Sequence, residues 1–172
     1  MAARTQEQQF ELPEFETRPR LLIVAAPYQR RIVDLLSQGA RAKLEPVADV
    51  ECAEIPGALE IPPAIALAAA TEKFHGFVAL GCVMRGATTH YETVCTESAR
   101  GLTLLGLSGI CIGNGILTVD TETQALERAD PARMDKGGEA AAAALSLIAL
   151  RQRFGRGAGK LGFQLPDAGS HG

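Results

Sequence analysis

Residues 76–90 read GFVALGCVMRGATTH. Gly76–Val83 is a short apolar run, the pattern of a strand buried on both faces. The next residues change character at once: a cation, a glycine and two threonines in Arg85–Thr89. Beyond them, residues 89–106 predict a long helix. Strand, polar loop and helix in direct succession make up the repeating unit of an α/β fold.

The same unit recurs on either side. Arg20–Ala26 (RLLIVAA) predicts a buried strand, and residues 29–44 carry a helical stripe at Ile32, Leu35, Leu36 and Ala40. Pro46–Ala53 alternates apolar and polar residues, as a more exposed strand does. Pro62–Lys73 is an alanine-rich helix with Pro62 suited to its first turn. Gly109–Gly113 (GICIG) predicts a fourth strand, and Thr121–Ala129 and Lys136–Phe154 predict two more helices. Such alternation implies a parallel sheet, with right-handed crossovers placing helices on both faces.

Composition narrows the class further. The 172 residues suffice for one domain with a proper core. Hydrophobic residues make up 47% but aromatic ones only 5%, so small aliphatic side chains must build that core. A ring-poor chain argues against an aromatic-rich all-β domain and against base-stacking platforms. A net charge of -3 disfavours nucleic acid as a partner. The longest apolar stretches, Ala64–Ala70 and Ala140–Leu150, are too short to span a bilayer. Met1–Phe10 is polar and lacks the apolar core of a secretory signal. Cys52, Cys82, Cys95 and Cys111 form no C-x-x-C pair and read as buried thiols in a reducing compartment, which points to the cytoplasm. A charged fraction of 22% is low for so apolar a chain and suggests burial in an oligomer.

Three regions follow: an arm at 1–19, a domain at 20–154, and a glycine-rich tail at 155–172. Phe10, Leu12 and Phe15 are the sizeable apolar groups of the arm. It is either a disordered tail or an edge strand added to a neighbouring subunit.

Ligands of parallel α/β sheets bind beyond the carboxyl ends of the strands. The predicted loops there are Ala26–Gln29, Glu54–Ile61, Val83–His90 and Gly113–Asp120. In the third, Thr89 with Glu92 fits a capping box and puts His90 in the first helical turn. Gly86 lets backbone approach an anion, which the free N–H groups of the turn would hold. His90 is then either a solvated helix residue or a neutral proton acceptor. In the second loop Pro56 and Pro62 stiffen the chain, and Glu60 is either a dipole-stabilised acid or an acceptor for hydroxyl groups. The first loop offers Tyr28, a ring for packing or for stacking on a planar ligand, beside Gln29. Toward the C-terminus Thr121 with Gln124 fits a second capping box. Arg128 and Lys136 are surface cations or anion-holding groups.

Taken together, the chain resembles one family. The resemblance is carried by Gly57-Ala58-Leu59-Glu60-Ile61-Pro62, Arg85-Gly86-Ala87-Thr88-Thr89-His90-Tyr91, Gly115-Ile116-Leu117-Thr118, Gln124-Ala125-Leu126-Glu127-Arg128-Ala129 and Lys136-Gly137. These look like the signatures of the 6,7-dimethyl-8-ribityllumazine synthases, and the likeness runs unbroken from about Arg20 to Phe154. It implies a flavodoxin-like, three-layer α/β/α sandwich on a four-stranded parallel sheet. It implies pentamers that stay free, pair, or build icosahedral shells. The implied reaction condenses 5-amino-6-(D-ribitylamino)uracil with 3,4-dihydroxy-2-butanone 4-phosphate in riboflavin biosynthesis. Phosphate and two waters leave, and the reaction uses no metal or redox cofactor.

Residue by residue, the resemblance makes Tyr28 the stacking ring and Gln29 its polar neighbour. Ala58, Leu59 and Glu60 form the ribityl-binding loop. Val83 and Met84 offer backbone to the uracil edge. Gly86, Ala87 and Thr88 cradle phosphate, and His90 transfers protons. Asn114, Arg128 and Lys136 come from the adjacent subunit, Arg128 binding phosphate there. Many members carry Phe where this chain has Asn114, which leaves Tyr28 as the implied aromatic contact. Two rival readings are a riboflavin synthase of the same fold and a non-catalytic flavin- or lumazine-binding shell protein. The phosphate cradle and Arg128 count against the first. His90, Arg128 and Lys136 count against the second.

Overall fold

Strands form where apolar runs can be buried from both sides, or where alternating residues cover one face at a sheet edge. The four here are β1 (Arg20–Ala25), β2 (Asp49–Glu54), β3 (Gly76–Met84) and β4 (Ile112–Val119), with β1 and β3 of the first kind and β2 and β4 of the second. In this computed structural model, which describes residues 12–155, they make one sheet in the order β2-β1-β3-β4. All neighbours run parallel, with Ile23 opposite both Cys52 and Val78, and Ala79 opposite Asn114.

The helices are α1 (Arg30–Leu44), α2 (Ile61–Ala69), α3 (His90–Leu107), α4 (Glu122–Ala129) and α5 (Lys136–Gly155). Alternate side chains of the sheet divide the core in two. Leu21, Ile23, Val78 and Leu80 meet α1, α4 and α5, chiefly through Leu36, Ala125, Ala144 and Ile148. Leu22, Val24, Phe77 and Ala79 meet α2 and α3 through Ile61, Ile65 and Leu102. The expected three-layer α/β/α sandwich is therefore observed. Alanine permits its close spacing, since Ala140, Ala141 and Ala144 of α5 are fully or almost fully buried.

Three boundaries differ from expectation. β4 lies at Ile112–Val119 and not at Gly109–Gly113, so most of the predicted loop Gly113–Asp120 is strand. It is an edge strand whose Gly113, Gly115, Leu117 and Val119 are buried, while Asn114 and Thr118 are exposed. α2 ends at Ala69, and Glu72 turns the chain with a φ of 55°. Pro46–Ala48 form a turn, not strand, because Val47 and Ala48 donate back to the Leu44 carbonyl.

Before β1 the chain docks on its own domain. Leu12 and Phe15 pack against the α1/α5 core. Arg18 donates to Asp49 (3.1 Å) and to the carbonyls of Pro46, Glu45 and Ala48. Phe10 and the tail beyond residue 155 lie outside the described residues. Among those described, no helix is long and apolar enough to cross a membrane. Cys82 and Cys111 are buried as expected. Cys52, on the half-covered edge strand β2, is exposed instead.

Candidate active site

The strand order reverses between β1 and β3, and their carboxyl ends open on a cleft there, as expected at the switch point of a doubly wound sheet. The cleft has a volume of about 580 Å³. Three chain segments build its walls. After β1, the 3-10 turn Pro27–Gln29 brings Tyr28 and Gln29 to the rim. Tyr28 is 83% exposed, a ring that the described residues leave largely uncovered. After β2, the 3-10 turn Ala58–Glu60 places Ala58, Leu59 and Glu60 along one side. The end of β3 (Val83, Met84), the loop after it (Gly86, Thr88) and His90 at the start of α3 close the other.

The first two walls are tied to each other. Arg30, the first residue of α1, grips Glu54, the last of β2, through two bonds of 2.5 and 3.0 Å. The hydrogen bonds from Arg30 hold the Glu54 carboxyl below the usual carboxylate range. The third wall is tied by Arg85. Its Nε donates to Asp120 at 2.9 Å, its Nη1 to Glu92, and its guanidinium lies 4.2 Å from the centre of the Tyr91 ring. Those bonds raise the Arg85 pKa and lower that of Glu92.

The capping box expected at Thr89 and Glu92 is absent. Thr89 makes no side-chain cap, and Glu92 turns to Arg85 instead. The His90 N–H meets the Thr88 hydroxyl only at 3.5 Å. A charge-assisted bond to a guanidinium outcompetes a neutral N–H for the carboxylate. The second box forms in altered shape: Thr121 accepts from the Gln124 N–H at 3.3 Å, while Gln124 accepts from Asp120 at 2.9 Å.

Ten of the expected site residues thus share one cleft, with Ala87 between two of them: Tyr28, Gln29, Ala58, Leu59, Glu60, Val83, Met84, Gly86, Thr88 and His90. Asn114, Arg128 and Lys136 do not. Asn114 faces a separate apolar groove beside Leu102, Ile112 and Phe154, and its Oδ1 accepts the Ile116 N–H at 3.0 Å. Arg128 donates to the Gln124 carbonyl at 3.1 Å on α4. Lys136 pairs with Glu139 at the start of α5.

Five wall residues were not among the expected site residues: Pro56 and Gly57, which precede the turn after β2, and three more from β3 and α3. Tyr91 and Val94 line the cleft from α3, one helical turn apart, a spacing that would have revealed them. Cys82 lines it from β3, and burial pushes its thiol up to about 11, which keeps it protonated and chemically quiet at neutral pH.

Residues 18–152 match the family described as 6,7-dimethyl-8-ribityllumazine synthase. The chain belongs to the lumazine synthase family. Proteins named 6,7-dimethyl-8-ribityllumazine synthase support this from several bacteria. That of Erythrobacter litoralis is 57% identical over 137 residues, covering 79% of this chain and 98% of its own. That of Jannaschia sp. is 53% identical over 155 residues, covering 89% and 86%. That of Novosphingobium aromaticivorans is 54% identical over 136 residues, covering 78% and 98%.

Proposed function

We propose that the protein is a transferase of riboflavin biosynthesis. It condenses 5-amino-6-(D-ribitylamino)uracil with 3,4-dihydroxy-2-butanone 4-phosphate to 6,7-dimethyl-8-ribityllumazine. The supporting observation is the cleft at the switch point, where a bare aromatic ring, a carboxylate and a glycine-containing loop at a helix start converge. In this reading the uracil stacks on Tyr28 beside Gln29 and meets the backbone of Val83 and Met84. The ribityl hydroxyls bond to the Ala58–Glu60 turn. The phosphate sits at Gly86–Thr88, against the first-turn N–H groups of α3.

The chemistry follows from that arrangement. The pyrimidine amine adds to the ketone and water leaves as the imine forms. Phosphate then departs by elimination, and closure of the second ring releases the second water. Holding both substrates in one cleft supplies most of the acceleration. His90, on the same wall as the phosphate loop, carries protons between these steps.

The site is completed by an adjacent subunit. Asn114, Arg128 and Lys136 lie outside this chain's own cleft, and the α2/α3 side exposes apolar Leu67, Leu104 and Leu107. A homopentamer that covers this face and lends those residues to its neighbour, alone or within a larger icosahedral shell, accounts for both observations. Its setting is the cytoplasm.

Mixing the two substrates with purified protein and following lumazine absorbance tests the activity. Product formation with stoichiometric phosphate is expected. Turnover of lumazine alone, or binding without turnover, would replace this reading with one of its rivals. Sizing or electron microscopy reads the assembly.

A further inference from the structure

The loop from Gly86 to Thr89 is exposed throughout. Among the described residues its own ties are weak: a 3.5 Å contact from His90 N–H to Thr88, and a 3.4 Å bond from Thr93 N–H to the Thr89 carbonyl. Its two ends are nevertheless held. At one end the Arg85 N–H donates to the Val119 carbonyl at 3.0 Å, continuing the β3–β4 ladder. From that fixed point the Arg85 side chain reaches back over the loop. It bonds Glu92 in the first turn of α3, Asp120 at the end of β4, and covers the ring of Tyr91. One guanidinium therefore closes the loop like a clasp, and its planar fork serves two carboxylates at once.

The clasp also settles where the Glu92 charge goes. Glu92 sits three residues after Thr89, where a glutamate ordinarily turns back to cap the helix. Doing so would place a carboxylate on N–H groups that an incoming anion needs. Arg85 holds it away from Thr89, which stays uncapped, and of the first-turn N–H groups the carboxylate keeps its own. With Nε and Nη1 both engaged by carboxylates, Arg85 is placed to shape the anion site and not to bind the anion.

We propose that Arg85 is a positioning residue for the phosphate loop: it fixes the Gly86–Thr89 segment between β3, β4 and α3, and it keeps the Glu92 carboxylate off the Thr89 N–H. This rests on the reading of the cleft given above.

Steady-state kinetics on the full-length protein test it. Arg85→Gln is expected to raise KM for the phosphorylated substrate about tenfold or more, the scale of a lost charged hydrogen bond, with KM for the ribitylaminouracil little changed. The double variant Arg85→Gln/Glu92→Ala removes the freed carboxylate and is expected to recover severalfold of that loss. Inorganic phosphate, titrated as a competitor, should follow the same order. If the double variant is no better than Arg85→Gln, Arg85 is a direct ligand and the proposal falls. If both KM values, kcat and melting temperature move together, the role is merely structural and the proposal falls. Should Arg85→Gln not fold, Arg85→Lys reads the same split between substrates. A wild-type protein that makes no lumazine overturns the function proposed above, while inorganic phosphate binding measured directly by calorimetry on wild type and both variants still decides the role of Arg85.

Discussion

A Cβ placed on Gly57 would stand 2.8 Å from Oε2 of Glu60, so the glycine leaves open the space that this carboxylate occupies. Gly57 has an extended backbone, φ -152° and ψ 171°, which alanine adopts freely. Its glycine is thus a matter of room, not of conformation. Gly57→Ala should leave stability within about 0.5 kcal/mol, as an accessible site without strain does. It should push the Glu60 carboxylate aside and raise KM for the ribityl substrate severalfold. Thermal melting and steady-state kinetics on the same preparation separate the two effects.

Glu60 lines the cleft, and Arg128 stands away from it on α4. If each active site takes Glu60 from one subunit and Arg128 from the next, two damaged variants can complement each other. Glu60→Ala and Arg128→Ala should each be weak alone. Dissociated, mixed and reassembled, they should give more activity than either parent, because some sites then receive both intact residues. Activity of the mixture equal to the parents' average would place both residues in one subunit's site.

The part of this site legible in the sequence was the part carried by loops. Tyr28, Glu60 and His90 could be placed beyond the carboxyl ends of the strands from the apolar runs before them, while the resemblance to the family supplied their roles. The strand β4 was misplaced for the opposite reason. Its outward face carries Asn114 and Thr118, and its inward face begins with two glycines, so it mimicked a loop. Gly113 answers to the Ala140 backbone of α5, and Gly115 to Leu80 of β3 and to α5, where a Cβ would stand 2.7 Å from Leu80 Cδ2 and 3.2 Å from the Ala140 side chain. Such a demand comes from a helix more than twenty residues away and leaves no local trace. The missing capping box at Thr89 is similar, since local spacing fitted it while Arg85, from another element, took the glutamate.

His90 opens α3 and lines the cleft beside Thr88. In the proposed mechanism its contribution is proton transfer in a reaction driven mainly by bringing two substrates together. His90→Ala should therefore lower kcat by no more than about 10²–10⁴-fold, the usual range for general acid–base assistance. Turnover should remain measurable in a prolonged assay. Complete loss of activity in a folded protein would make His90 indispensable and contradict this view of the catalysis.

The Arg30–Glu54 pair joins two walls of the cleft, and its hydrogen bonds keep the Glu54 carboxyl below its ordinary pKa. A carboxyl depressed in the folded state stabilises above its unfolded pKa, about 4.3 for glutamate, and ceases to as pH falls through the lower folded value. Both side chains are more than half exposed, so salt and solvent limit the effect. Glu54→Gln should be less stable than wild type at neutral pH, and the difference should vanish in acid. Urea midpoints measured for both proteins from neutral to acidic pH give this directly. A difference that grows on acidification would reverse the assigned sign.

Gly113 tests the close approach of β4 to α5. A Cβ there would overlap the backbone carbonyl of Ala140, with further contact to its Cα at 3.3 Å. The obstruction is main chain on the buried face of α5 near its start, so no rotamer change relieves it. Gly113→Ala should cost on the order of 1–3 kcal/mol or more, as overpacking a close-packed core does. Trimming the neighbour tells where the clash lies. Gly113→Ala/Ala140→Gly removes the Ala140 methyl but not its carbonyl, and a helical glycine costs roughly 1 kcal/mol of its own. The double variant should therefore be less stable than Gly113→Ala, as read from urea midpoints. Recovery in the double variant would mean that the Ala140 side chain, not its backbone, sets the spacing between strand and helix.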